Sequence, residues 1–281
     1  MWSLELIWKI NTSSKGVTSV YVASHHMKRF FRSVVPYLLR PIVLVTGDRA
    51  TPIGAYKPVK APLSHPKVLA LFSQNLAFDH PSAFPLPIGL DFHTIASRKE
   101  GAWGRPQMEP QQQEDELWSI IDDAKPWNLR TRGPLVGFSI DTNEAARRTC
   151  VTKLIMVEDV RLALEGMPRN ETWQMMAEHQ FIASPPGVGM DCHRTWEALL
   201  LGCVPIVQRM PTLSPMFKDL PVWEVDGYEQ VTAASMAEMQ REVAAKLAGG
   251  RYNFKKLTVD WWREKIARKT REVADLKPVQ P

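Results

Sequence analysis

Phe181-Ile-Ala-Ser-Pro-Pro-Gly-Val-Gly-Met-Asp-Cys-His-Arg-Thr-Trp-Glu-Ala-Leu-Leu-Leu-Gly-Cys-Val-Pro-Ile-Val207 is the stretch on which the fold of this chain turns. A short apolar run breaks at two prolines and two glycines, helix-forming residues follow, and a second apolar run closes the segment. The spacing predicts strand, turn, helix and strand. Trp196, Leu199, Leu200 and Cys203 recur at i, i+3, i+4 and i+7, which marks the face that packs on a sheet. Gly187 and Gly189 let backbone approach a ligand closely, and the next helix offers unpaired N–H groups and a positive dipole end. A diphosphate suits that geometry.

Two charged residues share this helix. Arg194 can neutralise phosphate and Glu197 can accept hydrogen bonds from ribose hydroxyls, if both line the carboxyl ends of the strands where open α/β sheets bind ligands. The competing reading is an ion pair on the helix surface, three residues apart. His193 stands beside Arg194 as a sugar or phosphate contact, or as an ordinary first-turn residue. Arg147 and Arg148 follow the Asp141-Thr142-Asn143 turn, and at most one of the two can reach into a site.

Outward from this segment the chain alternates. Strands are predicted at Gln180–Ser184, Val204–Gln208 and Val222–Val225, separated by helices at Met190–Leu201 and Ser214–Lys218 and followed by helices over Tyr228–Leu247 and Asn253–Glu272. A strand over Pro134–Ile140 and a long helix over Asn143–Glu165 open this half. The first half gives strands at Val17–Ala23, Pro41–Thr46 and Lys67–Ser73, with a helix over Met27–Leu39 that completes a βαβ unit. Residues 48–66 hold four prolines and are expected to be an exposed loop. Such alternation implies parallel sheets covered on both faces. The expected division is an N-terminal acceptor domain over 1–128, a donor domain over 129–252 and a helix over 253–281 crossing back to the first.

Composition sets the outer limits. At 281 residues, with 44% hydrophobic and 23% charged residues, the chain is long enough for two folded domains. Its net charge of +5 is dispersed, so a modest positive field favours an anionic small ligand and no nucleic-acid partner is expected. The three cysteines, Cys150, Cys192 and Cys203, have no zinc spacing and imply no disulfide framework. Glu5 and Lys9 interrupt the apolar start, so no membrane anchor is expected and the location is read as cytoplasmic; the sequons at Asn11 and Asn170 are then chance matches.

Pro186, Gly187, Gly189, Arg194, Trp196, Glu197-Ala198-Leu199 and Gly202-Cys203-Val204-Pro205-Ile206 occur in the order found in exostosin-like glycosyltransferases, and the segment resembles the donor-site signature of glycosyltransferase family 47 and its short relatives in algae and large algal viruses. Leu44-Val-Thr-Gly-Asp48, Gln74-Asn75 and Pro87-Ile-Gly-Leu-Asp-Phe-His-Thr94 are similar to motifs of those relatives. The resemblance implies an α/β, GT-B-like fold, two Rossmann-like domains with parallel sheets facing across a cleft, and an inverting transfer from a nucleotide sugar to a glycan hydroxyl. It points to a UDP-sugar such as UDP-xylose and to N-glycan synthesis on a viral capsid protein. With the residues read from position alone, the expected donor set is Arg147, Arg148, Pro185, Gly187, Gly189, Asp191, His193, Arg194 and Glu197. The alternative is a glycan- or nucleotide-sugar-binding protein of the same fold without turnover.

An inverting transferase needs a base for the acceptor hydroxyl. Asp48, after the Pro41–Thr46 strand and Gly47, is the first candidate, with Asp91 and His93 behind it; a turn or cap carboxylate is the ordinary alternative for Asp48. His25-His26 also follow a strand, on the expected acceptor side. No Asp-x-Asp occurs, so no metal or other cofactor is expected, although Asp191 keeps a divalent cation open. No G-x-G-x-x-G turn with a downstream acid marks a dinucleotide site.

Overall fold

The computed structural model describes residues 4–50, 52–54, 62–163 and 166–275. Along the chain the elements run α1 (Leu4–Asn11), β1 (Thr18–Ala23), α2 (Met27–Ser33), β2 (Ile42–Gly47), β3 (Val68–Gln74), β4 (Ala83–Leu86), α3 (His93–Ser97), α4 (Pro110–Asp122), β5 (Leu135–Val136), α5 (Glu144–Leu154), β6 (Arg161–Leu162), α6 (Arg169–Ala177), β7 (Phe181–Ala183), α7 (His193–Leu200), β8 (Val204–Gln208), α8 (Ser214–Phe217), β9 (Trp223–Val225), α9 (Ala233–Ala248) and α10 (Val259–Asp275). The chain divides into two compact units: one runs to Ile88 and adds Pro211–Met216 and the chain from Thr258 on, and the other comprises Gly89–Met210 and Phe217–Leu257. Residues 89–128 thus group with the second sheet.

In the first unit the strands lie in the order β1-β2-β3-β4, every neighbour parallel. β-branched and apolar runs put large side chains on both faces. Val20, Val22, Ile42, Leu44 and Leu71 meet Ile10 of α1 and Met27 and Phe30 of α2 on one side. Val43, Ala70 and Phe72 meet Ile266 and Val273 of α10 on the other. The helix expected over 27–39 stops at Ser33 and resumes as one 3₁₀ turn, Val35–Tyr37, because Pro36 has no N–H to continue the ladder. Of the proline-rich loop over 48–66, residues 51 and 55–61 lie outside those described.

The second unit carries the order β6-β5-β7-β8-β9, again wholly parallel. Phe181, Ala183, Val204 and Ile206 pack with Cys150 and Leu154 of α5 on one face, and Leu135, Ile182 and Cys203 with Leu117, Trp173 and Met176 on the other. Both units are therefore parallel α/β, the composition that a GT-B-like fold of two Rossmann-like domains requires.

Two local expectations are corrected. The strand expected over 134–140 pairs only at Leu135–Val136 before the chain leaves the sheet. The helix expected over 143–165 ends at Leu154, Asp159 turns the chain with a left-handed φ of 57°, and Arg161–Leu162 joins the sheet edge as β6; residues 164–165 lie outside those described.

Candidate functional site

In the second sheet the chain goes from β5 outward to β6, returns to β7 on the other flank of β5, and continues outward through β8 and β9. The strand order reverses between β5 and β7. In open parallel sheets the crevice outside the carboxyl ends of the strands at such a reversal is where ligands bind. The segment after β5, residues 137–143, leads into α5, and the segment after β7, residues 184–192, leads into α7.

These two segments are tied together. Asn143 caps α5 by accepting from the Ala146 N–H at 3.3 Å, and its Nδ2 donates to the Gly187 carbonyl at 3.1 Å. Arg147, one turn into α5 and buried, donates through Nε to the Pro186 carbonyl at 3.3 Å and through Nη1 to the Ser139 carbonyl. A Cβ on Gly187 would meet Arg147 Nη2 at 2.7 Å, so an alanine there would have to displace the end of this guanidinium. The Gly187 N–H closes the turn on the Gly189 carbonyl at 3.1 Å. Arg148 points elsewhere: it is exposed and pairs with Glu144 along the helix at 2.7 Å. The structure thus separates the adjacent arginines.

Phe138, where the chain has left β5, lies beneath two cations. The guanidinium carbons of Arg147 and Arg194 stand 5.2 and 5.9 Å from its ring centre. Burial and the neighbouring Arg147 charge lower the Arg194 pKa, and the Glu197 charge acts the other way. Arg194 has no hydrogen-bond or ion-pair partner among the described residues.

The other sequence-predicted residues are placed as follows. Asp191 is buried and turned inward, accepting from Trp196 Nε1 at 3.0 and 2.9 Å and from the Cys192 N–H at 2.9 Å. Pro185 is buried and its carbonyl accepts from Cys192 Sγ at 3.4 Å. Gly202, at φ 73°, ends α7: its N–H bonds Leu199 O at 3.2 Å and the Cys203 N–H bonds Ala198 O at 2.8 Å, which delivers the chain into β8. Glu197 pairs with Arg169 of α6, at 3.3 Å, instead of with Arg194.

Arg169 is a residue that sequence reasoning missed. It is buried, donates to the Asp91 carbonyl and to Gln113 Oε1, and faces the rings of Trp173, Trp103 and Phe92 at 4.3, 5.2 and 5.6 Å. Burial lowers its pKa against the pull of Glu197, Asp91 and Glu116. Through it α7 is fixed to the segment that carries Asp91.

Asp91 and His93 belong to this second unit. The Asp91 carboxylate accepts from the Thr94 N–H at 2.9 Å and from Thr94 Oγ1 at 2.6 Å. His93 Nδ1 lies 2.7 Å from its Oδ1, and His193 Nε2 lies 3.9 Å from its Oδ2. His193 Nδ1 contacts the Gly89 carbonyl at 2.7 Å; since a carbonyl only accepts, that nitrogen carries the proton. One buried carboxylate therefore stands between two imidazoles at the start of α7. Asp48 sits in the first unit, exposed, at φ 73° after β2, with its N–H held by Gln74 Oε1 at 2.9 Å. His25 and His26 form a 3₁₀ turn after β1 in that same unit. Among the described residues no group of three His, Cys, Asp or Glu is placed to hold a metal ion.

No protein-family model and no curated protein matches the chain. Among solved structures, a crystal structure of an alpha1,3-fucosyltransferase is similar over 88% of this chain and 82% of that one, with 10% sequence identity and a TM-score of 0.36.

Proposed function

We propose that the second unit binds a nucleotide sugar, most simply a UDP-sugar, with its diphosphate at Arg194, and that the chain is a glycosyltransferase acting on a glycan hydroxyl. The observation that carries this reading is the unpartnered Arg194 guanidinium, half-buried at the point where the strand order reverses. A half-buried cation that no hydrogen-bonded counter-ion answers is costly, and the guanidinium of Arg147 works against the attraction of Glu197. An anion delivered by the ligand relieves both. The glycine turn beside it and the carboxylate of Glu197, oriented by Arg169, supply the surroundings that a sugar diphosphate and its ribose need.

In the reaction so proposed, the acceptor oxygen attacks the anomeric carbon, the bond to the diphosphate breaks, and UDP leaves with that electron pair while Arg194 stabilises the departing charge. The acceptor proton goes to a protein base. Of the three sequence-predicted candidates, the geometry favours His93: Asp91 fixes its Nδ1, and the ring is 79% exposed, leaving Nε2 open to a hydroxyl. The residues assigned here require no metal. A panel of UDP, GDP, NAD and S-adenosylmethionine in a thermal-shift measurement tests the class. A rise in Tm with UDP and none with NAD or S-adenosylmethionine is expected, and the reverse pattern overturns the reading.

A further inference from the structure

α1 buries only one side. Ile10 is buried and Leu6 and Ile7 pack on the first core, whereas Leu4 and Trp8 remain 85% and 64% exposed. Leu4, Trp8 and Asn11 are spaced i, i+4 and i+7 and so run along a single outer stripe. At the end of that stripe Asn11 Nδ2 donates to the Tyr37 carbonyl at 3.1 Å, and its Oδ1 accepts from the Leu39 N–H at 2.7 Å. This lays the segment 37–39 beside the helix, with Tyr37 64% and Leu39 82% exposed. Four large apolar side chains of one unit are thus exposed on two segments that Asn11 ties together, where single scattered ones are the norm.

Basic side chains stand beside the 37–39 segment. Arg40 Nη1 donates to the carbonyls of Ser13 and Lys15, and Lys67 Nζ donates to the Pro36 carbonyl at 3.2 Å, so both cations flank the 37–39 segment. Lys15 is exposed beside them, and Arg32 is exposed in the last turn of α2. Glu5 is the acidic residue of α1, and Lys9 neutralises it at 2.6 Å. The bias extends through the unit: residues 1–88 contain 10 Lys and Arg but 3 Asp and Glu, out of 35 and 30 in the chain. The +5 of the whole conceals a first unit that is strongly basic.

We propose that this surface docks the first unit on a membrane containing anionic phospholipid. α1 would lie in the interface with Leu4 and Trp8 among the acyl chains, Tyr37 at the headgroup level, and Arg32, Arg40, Lys15 and Lys67 over the lipid phosphates. No helix among the described residues is long and apolar enough to cross a membrane; the association proposed is that of an interfacial helix. Charge complementarity selects this occupant. A second copy of the chain would bring a basic rim against a basic rim, which costs free energy, while an anionic bilayer satisfies both halves of the patch.

Co-sedimentation of the full chain with large vesicles, of phosphatidylcholine alone or of phosphatidylcholine and phosphatidylserine at three to one, tests the proposal without any sugar substrate. Partitioning at least about tenfold stronger onto the anionic vesicles is expected, falling steeply with added salt. The double variant Leu4→Ser with Trp8→Ser should lose about tenfold or more of that binding. Lys15→Glu with Arg32→Glu, both at exposed positions outside the core, should lose a similar factor while keeping the wild-type Tm, so that a folding defect in the first variant does not decide the matter. Equal binding to both vesicle types overturns the proposal. So does the absence of binding, or a Trp8-dependent dimer that ignores vesicles. None of these outcomes bears on UDP binding by the second unit.

Discussion

A methyl group on Gly187 would stand 2.7 Å from Nη2 of Arg147, which is itself held by the carbonyls of Pro186 and Ser139. Nε and Nη1 are held, so an added methyl would have to push Nη2 aside against those two hydrogen bonds. Gly187→Ala is expected to lower stability by about 1–3 kcal/mol, the usual cost of overpacking. Adding Arg147→Ala should recover part of that loss, because the two residues share the space. Urea unfolding of the single and double variants measures both. Wild-type stability in Gly187→Ala would show that the guanidinium does not occupy the glycine's side-chain space.

Glu197 and Arg169 form a largely buried pair, 3.3 Å apart. Removing one partner leaves the other desolvated and unpaired, so Glu197→Ala should cost about 3–5 kcal/mol. Arg169→Met with Glu197→Leu should cost much less than the two single changes combined. A double-mutant cycle by thermal unfolding checks this; a coupling near zero means the pair is not formed.

The Asp91–His93 contact at 2.7 Å leads to a ranking of base candidates. His93→Gln should reduce turnover by about 10²–10⁴-fold with little change in UDP affinity. Asp91→Asn should follow it in kcat and shift the pH–rate profile, since Asn holds the imidazole without a charge. Asp48→Asn should leave turnover near normal. Released UDP from a panel of UDP-sugars, together with UDP calorimetry, separates these effects. Loss of activity confined to Asp48→Asn would reverse the ranking.

Burial pushes the thiols of Cys150 and Cys203 up to about 12 from an ordinary value near 9. A folded-state pKa above the unfolded one gives stability that is complete below the unfolded pKa and lost as pH rises through the folded one. The window therefore runs from about pH 9 to about pH 12, and each thiol should cost about 1.4 kcal/mol per pH unit within it. Tm followed from pH 8 upward should fall, and less steeply in Cys150→Ala than in the wild type. Identical slopes would mean that the Cys150 thiol ionises as readily in the folded chain as in the unfolded one.

The parallel α/β class was legible because runs such as residues 42–45 and 204–207 are apolar, as strands covered on both faces must be. The strand, Gly turn and helix around Gly187 and Arg194 were legible for the same reason of local chemistry. What stayed hidden is tertiary. Phe138 was read as strand, but it leaves the sheet to lie under Arg147 and Arg194, a choice set by those cations and not by its neighbours in sequence. Helix α6 was missed because Arg169, Trp173 and Met176 face inward while polar residues interleave without a clean stripe. The partner of Glu197 lies 28 residues upstream, and no spacing rule selects Arg169 over Arg194. Asp191 looked available to a ligand because nothing local announces that Trp196 Nε1 will cover it.

The role proposed for Arg194 is to meet an anion. Isothermal titration of UDP into the full chain, the Arg194→Ala variant and the Arg148→Ala variant tests it most directly. Loss of a charge-assisted contact of this kind is worth about 1.5–3 kcal/mol, so Arg194→Ala should weaken UDP binding by roughly tenfold or more. Arg148→Ala, which removes only an exposed helix pair, should bind UDP as the wild type does. Unchanged affinity in Arg194→Ala, or an equal loss in both variants, would contradict the account.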